Sequence, residues 1–392
     1  MSNLGTVVKG LKGPIIRAGD DLAEIVIGCL KETQRAGDIE IKDRDVLAVT
    51  EAVVAKAQGN IASFEQVAKD VKGKFGDKTV GIVYPIFSRN RFAYILNAIA
   101  SGLKEAVVML NYPFDEVGNP LLDSAEFEKK NVGTDKVYTE EEFRKIFPVL
   151  RHPFTGTDYI ELYKKQGANI KVMLSNKLES ILRYTDNLIV ASIHSRRENK
   201  RKLLAAGAKK VLCLDEIMTQ SVDGSGFNAD YGVLGSNIST DNSLKLFPRD
   251  CGEFCNKLQK RVKEEFAKNI ECMVYGDGAF RDPLHKIWEL ADPVVSPGYT
   301  DGLRGTPNEV KIKYISENQL GALSKEDALR EMKRIVQEKT PDSKDSFNAQ
   351  GTTPRRLTDL LGSLADLTSG SGDKGTPFVL IQNYFGNIAT EF

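Results

Sequence analysis

The stretch 80-VGIVYPIFSRNRFAYILNAIASGLKEAVVML-110 decides the fold class. It opens on a short apolar run, 80-VGIVY-84, passes through a polar turn, and takes up a helical pattern from Asn90 to Leu103. It closes on a second apolar run, 106-AVVML-110. Apolar strand runs alternating with helical stretches are the mark of α/β architecture. After a polar irregular stretch, two further helix–strand repeats follow, 176-NKLESILRYTDNLIVASI-193 and 196-RRENKRKLLAAGAKKVLCL-214, so this middle section reads as one coherent unit. A loop rich in Gly, Asn, Asp and Ser, 219-TQSVDGSGFNADYG-232, closes it.

The same alternation extends to both sides. Upstream, 17-RAGDD-21 offers Asp20 or Asp21 as the N-cap of a helix over about Asp21 to Glu32. The strand 46-VLAVT-50 follows, and 51-EAVVAKAQG-59 reads as more strand or a bend. Downstream come a helix from about Gly252 to Asn269, a strand running into 276-GDG-278, and a Pro/Gly-rich segment, 292-DPVVSPGYTDGLRGTP-307. A charged helix and the linker 338–354 precede a last helix and the strand 377-PFVLIQ-382.

Composition bounds the function. With 392 residues, 41% hydrophobic and 28% charged, the chain can bury two or three ordinary cores. A formal net charge of zero gives no dominant field for nucleic acid or membranes, so anionic ligands must be met by local pockets. No signal-peptide pattern and no apolar run of membrane-spanning length is visible, and the expectation is a cytoplasmic protein. The five cysteines, Cys29, Cys213, Cys251, Cys255 and Cys272, are read as reduced thiols, with Cys251 and Cys255 one helical turn apart. Three dispersed histidines, His152, His194 and His285, do not make a zinc site. His152, in the turn-like 151-RHPFTG-156 beside Arg151, serves either binding or the turn itself; His285, near Trp288, is read as packing. The phosphate loop, the dinucleotide fingerprint after a strand and the nucleophile elbow are missing.

Two carboxylates stand out. Asp277 is held between Gly276 and Gly278 at a strand end, where it serves as a turn residue or as a ligand. Asp359 opens the apolar helical pattern 357-LTDLLGSLADL-367, as cap or as ligand. Together they can hold one hard divalent cation, since such ions combine few protein carboxylates with water and phosphate oxygens. Arg17, Lys56, Arg89, Arg91, Arg281, Arg304, Arg355 and Arg356 stand in loops or at helix starts, where cations meet phosphates or carboxylates.

Several of these segments, in order, resemble the coenzyme F(420)-0:L-glutamate ligases, the gamma-glutamyl ligases of the deazaflavin coenzyme. The opening 13-GPIIRAGDDLAEIV-26 is similar to the start of that family, and the likeness continues through 44-RDVLAVTEAVVAKAQG-59. The segment 275-YGDGAFRDP-283 is similar to its metal-binding region, 358-TDLLGSLADL-367 to a late helix, and 377-PFVLI-381 to the closing strand. The likeness covers roughly residues 1–60 and 225–390. It implies a mixed α/β ligase-like core in two parts, 1–75 and 226–392, interrupted by an α/β insertion, 76–225. It further implies Asp277 and Asp359 as metal ligands for Mg²⁺ or Mn²⁺. Nucleotide contacts for GTP, or ATP, fall to Gly13, Pro14, Ile15, Ile16, Glu51, Ala52 and Lys56. The reaction implied joins L-glutamate to a small-molecule carboxylate through an acyl phosphate, with no covalent protein nucleophile, in a homodimer with no nucleic-acid or membrane partner.

The chain departs from the family pattern at four places. Leu234 stands where the family has Asp, within a segment that keeps Ser236 and Asn237 as substrate contacts. Glu51 and Ala52 replace part of a Ser/Thr turn, Gly278 follows Asp277, and some 150 residues are inserted. The insertion's Arg89, Arg91, Tyr94, Arg151, His152 and Tyr159 suit an anionic, aromatic acceptor by pairing and stacking, or else the insertion is a lid or dimer module. Two other functions fit the same residues: a non-catalytic nucleotide or small-molecule binding protein, and a metal-dependent phosphate-ester hydrolase.

Overall fold

The computed structural model describes residues 4–277, 292–340, 347–349, 352, 355–369 and 373–390. The chain begins with strand β1 (Val7–Leu11), helix α1 (Leu22–Arg35), strand β2 (Val46–Thr50), helix α2 (Glu51–Ala57), strand β3 (Ile61–Ser63) and helix α3 (Phe64–Phe75). Asp21 caps α1 by accepting the N–H of Glu24. The 51–59 stretch, expected as strand or bend, is the helix α2. Glu, Ala and Lys are good helix formers, extended Thr50 sits at the N-cap, and Val54, Ala55 and Ala57 turn inward together.

The next section holds β4 (Thr79–Val83), α4 (Phe92–Ala100), β5 (Glu105–Leu110), α5 (Ser124–Lys129), β6 (Val137–Thr139), α6 (Glu140–Ile146), α7 (Tyr159–Lys164), β7 (Ile170–Ser175), β8 (Asn187–Val190), α8 (Arg196–Ala205) and β9 (Lys210–Cys213). The last section holds β10 (Asn237–Thr240), β11 (Ser243–Lys245), α9 (Cys251–Phe266), β12 (Glu271–Tyr275), β13 (Gly298–Tyr299), α10 (Ile312–Asn318), α11 (Lys325–Gln337), α12 (Leu357–Ser369) and β14 (Phe378–Gln382). Strand β7 lies in the stretch that reads as irregular from sequence, because exposed Lys171 interrupts its apolar run.

Three sheets organise these elements. The five-stranded sheet runs β1-β14-β2-β12-β13, with β2 and β12 parallel and the other pairs antiparallel. Alternate residues of its central strands serve opposite faces, as the pleat requires. Leu47, Val49, Cys272, Val274, Phe378 and Leu380 pack with α1 and α9 on one face. Val46, Ala48, Met273, Tyr275, Val379 and Ile381 pack with Leu361 and Ala365 of α12 on the other. Leu47 and Phe378 are fully buried, and each such side chain contributes about 1.5–3 kcal/mol. A small sheet, β10-β11-β3, ties the first and last sections together across the middle one.

The six-stranded sheet runs β6-β7-β5-β4-β8-β9, and all its pairs but β6–β7 are parallel. Counted along the chain, its parallel strands stand in the order 3-2-1-4-5, the doubly wound order, which brings ligands to the carboxyl ends of the strands. Its core draws in Ala62, Val67 and Val71 from before the 76–225 segment, and Leu234, Leu244 and Leu246 from after it. Leu234, the departure from the family pattern, is therefore a core residue. Among the described residues no helix is long and apolar enough to cross a membrane.

Candidate functional site

A cavity of about 750 Å³ opens where the two larger sheets meet, within the usual size range of small-molecule sites. Its core wall comprises Gly13, Pro14 and Ile15, the β2–α2 junction Thr50–Val53, Gly276 and Asp277 after β12, Asp366 and Ser369 at the end of α12, and the loop Gly375–Pro377. Its second wall, from the 76–225 segment, comprises Ile86 to Arg91 after β4, Val117 and Asn119 after β5, and His152, Phe154, Thr155 and Tyr159; Asn237 completes the lining.

Local chemistry explains each placement. Gly13 donates its N–H to Gly375 O at 3.0 Å, and a Cβ on it would meet Pro377 at 2.8 Å, so only glycine lets the two loops lie together. Gly276 plays the same part for Asp277: a Cβ there would sit 2.1 Å from Asp292 Oδ2, which accepts the Asp277 N–H at 2.7 Å. The Asp277 carboxylate accepts from Arg91 Nη2 at 2.9 Å, while Arg91 Nη1 donates to Asp292 at 2.6 Å and to Gly235 O at 3.0 Å. Burial pulls the Arg91 pKa down, but Asp292 and Asp277 outweigh it and the net direction is up. Arg91 is thus the ionic bolt between the segment after β4 and the segments that follow β12.

Glu51 lines the cavity but is buried and accepts from Lys245 at 2.6 Å, which offsets the charge that a phosphate would otherwise meet. Burial pushes the Glu51 carboxyl up, with Lys245 pulling against it. On the side of the 76–225 segment Asp115, also buried, accepts the N–H groups of Phe87, Val117 and Asn119 and the side-chain amide of Asn119. Desolvation lifts its pKa to about 6 despite those bonds. His152 Nδ1 accepts the N–H groups of Phe154 and Thr155, at 3.2 and 3.1 Å, and so directs the aromatic loop. At the other switch-point strand, β8, the N-terminus of α8 holds the Glu116 carboxylate, which accepts from His194 N, Ser195 N, Ser195 Oγ and Ile193 N. That anion position is therefore filled by the chain itself.

The structure brings Gly13, Pro14, Ile15, Glu51, Ala52, Arg89, Arg91, His152, Asn237 and Asp277 into one cavity. It places Ile16 in the core, Lys56 and Arg151 on the exposed surface, and Ser236 fully buried, all away from the cavity lining. Asp359 is half-buried in the first turn of α12, while Asp366 at the far end of that helix lines the cavity. Seven residues advance a helix by about 10 Å and return to nearly the same face, so the two aspartates are equivalent in pattern and differ in height. Sequence reasoning misses Asp366, Asp292 and Asn119; the seven-residue spacing between Asp359 and Asp366 is a signal that could have found the first of them. Gly278, Arg281, His285 and Trp288 lie outside the described residues.

A family model described as F420-0:Gamma-glutamyl ligase matches residues 10–383. Coenzyme F420:L-glutamate ligase of Methanothermobacter thermautotrophicus is 37% identical over 65 residues, 16% of this chain and 24% of that relative. The aligned part therefore spans about a quarter of the curated relative's length.

Proposed function

Because the chain belongs to the F420-0:Gamma-glutamyl ligase family, we propose that it joins the amino group of L-glutamate, or of another amino acid, to a small-molecule carboxylate, using GTP or ATP. The observation that carries this reading is the single cavity in which Asp277, Asp366, the glycine-lined 13–15 and 375–377 loops and the insertion loops converge. In the proposed course, an acceptor carboxylate oxygen attacks the γ-phosphorus, the bond to the bridging oxygen breaks, and the nucleoside diphosphate leaves. The amine nitrogen then attacks the acyl carbon, inorganic phosphate departs, and the ammonium proton is lost. Neither step needs a protein nucleophile.

The donor set fits a divalent cation. Asp277 and Asp366 present hard carboxylate oxygens to the cavity, and with Glu51 and Asp292 they exceed the cations Arg91 and Lys245 among the described residues. Asp277 and Asp366 would hold Mg²⁺ or Mn²⁺, which supplies charge neutralisation to the phosphates. Arg91 holds Asp277 in place, and Gly276 lets Asp292 brace it from behind. The Gly13 and Gly375 backbones leave room for the nucleotide, while the insertion loops cover the cavity and keep water from an activated acyl group.

The test is phosphate release from GTP or ATP with Mg²⁺ or Mn²⁺ and a panel of carboxylates and amino acids. Release that requires both carboxylate and amine is expected. Release without amine marks a hydrolase, and no release under any combination marks a binding protein.

A further inference from the structure

We infer that Glu116 is a positioning residue: its carboxylate clasps the tip of the loop between β5 and α5 to the N-terminus of α8, and so fixes the part of the cavity wall that this loop carries. Any consequence for turnover rests on the reading above; the clasp does not.

The loop folds back on itself. Leu121 N donates to Pro113 O at 2.7 Å, Asp115 N to Asn119 O at 3.0 Å and Gly118 N to Asp115 O at 3.1 Å, with Gly118 at a φ of 85°. Val117 and Asn119, at its tip, line the cavity. Two neighbouring carboxylates fasten that tip to different segments. Asp115 shapes the loop from within through the N–H groups of Val117 and Asn119, and reaches the segment after β4 at Phe87 N. Glu116 reaches the segment after β8: Oε1 accepts from Ile193 N and from His194 N, the latter at 3.2 Å, and Oε2 accepts from Ser195 N at 3.1 Å and Ser195 Oγ at 2.7 Å. Strands β5, β4 and β8 lie side by side, so the two carboxylates join three loops at adjacent carboxyl ends, where a doubly wound sheet holds its ligands.

The cap of α8 shows which partner the contact serves. Ser195 stands at the N-cap, and serine is among the residues that cap a helix best by themselves. Its side chain makes no capping bond; Oγ instead donates to Glu116 and accepts from Asn199 Nδ2 at 3.0 Å. Buried Asn199 also donates to buried Ser192 Oγ at 3.1 Å, which fixes that arrangement. A carboxylate 79 residues away thus does for α8 what Ser195 is equipped to do alone, and the stability of α8 does not account for it. What only Glu116 supplies is the tether: four charge-assisted bonds between the loop tip and the positive end of a helix, each roughly twice as strong as a neutral one.

The experiment on the full chain separates tether from cap. Glu116→Ala removes both, whereas added formate restores an anion at α8 without the link to the loop. In Glu116→Ala, hydrogen exchange of the 115–121 amides should run at least about tenfold faster, and the melting temperature should fall by roughly 1–4 °C. Formate, compared with chloride at equal ionic strength and with the parent in the same buffer, should recover the melting temperature and leave the exchange fast. Ser195→Ala, which trims the clasp from its other side, should also speed exchange of 115–121, by a smaller factor. Where the parent shows amine-dependent phosphate release, Glu116→Ala should raise KM for the carboxylate giving the highest release at least about tenfold, with kcat within about threefold. Unchanged exchange of 115–121 in Glu116→Ala, its recovery by formate, or an unmoved KM beside an active parent overturns the proposal. A parent without such release sinks the ligase reading alone, since the exchange measurements need no substrate.

Discussion

On the side of the five-stranded sheet the cavity is walled by glycine-lined loops and by carboxylates that answer to Arg91 and Lys245, whereas on the side of the 76–225 segment it is walled by Phe87, His152, Phe154 and Tyr159 around an uncharged amide. The carboxylates behind the two walls differ in the same sense. Asp277 and Asp292 are held by a guanidinium, while Asp115 is held by N–H groups and has its pKa lifted to about 6. A guanidinium fixes a carboxylate in an ion pair, whereas dipoles around a desolvated carboxyl make a support for neighbouring loops. The difference matches the proposed division of labour, with phosphoryl chemistry on the side of the five-stranded sheet and ligand contact on the side of the 76–225 segment.

The bolt between the two walls is the strongest place to break that division. Arg91→Met leaves Asp292, only 1% exposed in its side chain, without its counter-ion, and losing one partner of a buried pair costs about 3–5 kcal/mol. Urea unfolding should show that loss; a variant as stable as the parent means that the carboxylates are solvated and that Arg91 bolts nothing.

The next effect separates the two aspartates of α12. Asp277→Asn and Asp366→Asn should each lower ligase turnover at least about a hundredfold and abolish calorimetric Mn²⁺ binding, while Asp359→Asn stays within about threefold of the parent. If Asp359→Asn is the variant that loses metal, the start of the helix and not its end serves the site.

The smallest effect sharpens the insertion side. Since the folded pKa of Asp115 lies above its ordinary value of 3.8, the folded chain binds that proton more tightly. The group's contribution is therefore largest below its unfolded value and is lost as pH rises through about 6. The stability gap between the parent and Asp115→Asn should widen by on the order of 1–2 kcal/mol from about pH 7.5 to about pH 5. A gap that narrows over that interval would show that the fold favours the carboxylate over the carboxylic acid.

Much of this was legible before any coordinates. Short apolar runs such as 80–84, 106–110 and 377–382 announce buried strands because a strand packed on both faces has no polar period to hide it. Asp21 announces the start of α1 because a cap is a local bond, made within one turn. Of the wall on the side of the five-stranded sheet, Gly13 to Ile15, Glu51, Ala52 and Asp277 stand in segments that the sequence shows in series, while the neighbouring Ile16 turns into the core. What failed to show were features whose meaning is not local. Segment 51–59 reads as strand or bend until Val54 and Ala55 find a core on one helix face, and β7 is disguised by one exposed lysine at a sheet position.

By itself, then, the sequence determined the α/β class, most strands and helices, and the glycine that must precede Asp277, since strand pleat, helix period and capping are written within a few residues. Tertiary structure alone decided that Asp366 rather than Asp359 stands in the cavity lining among the described residues, that Arg91 answers Asp277 and Asp292 across some two hundred residues of chain, and that Asn119 Oδ1 has no partner among the described residues. Positions on one helix face share a pattern whatever their height, and a charge finds its partner only when distant segments are packed together; neither the height of a helix against a sheet nor the meeting of two loops has a period along the chain.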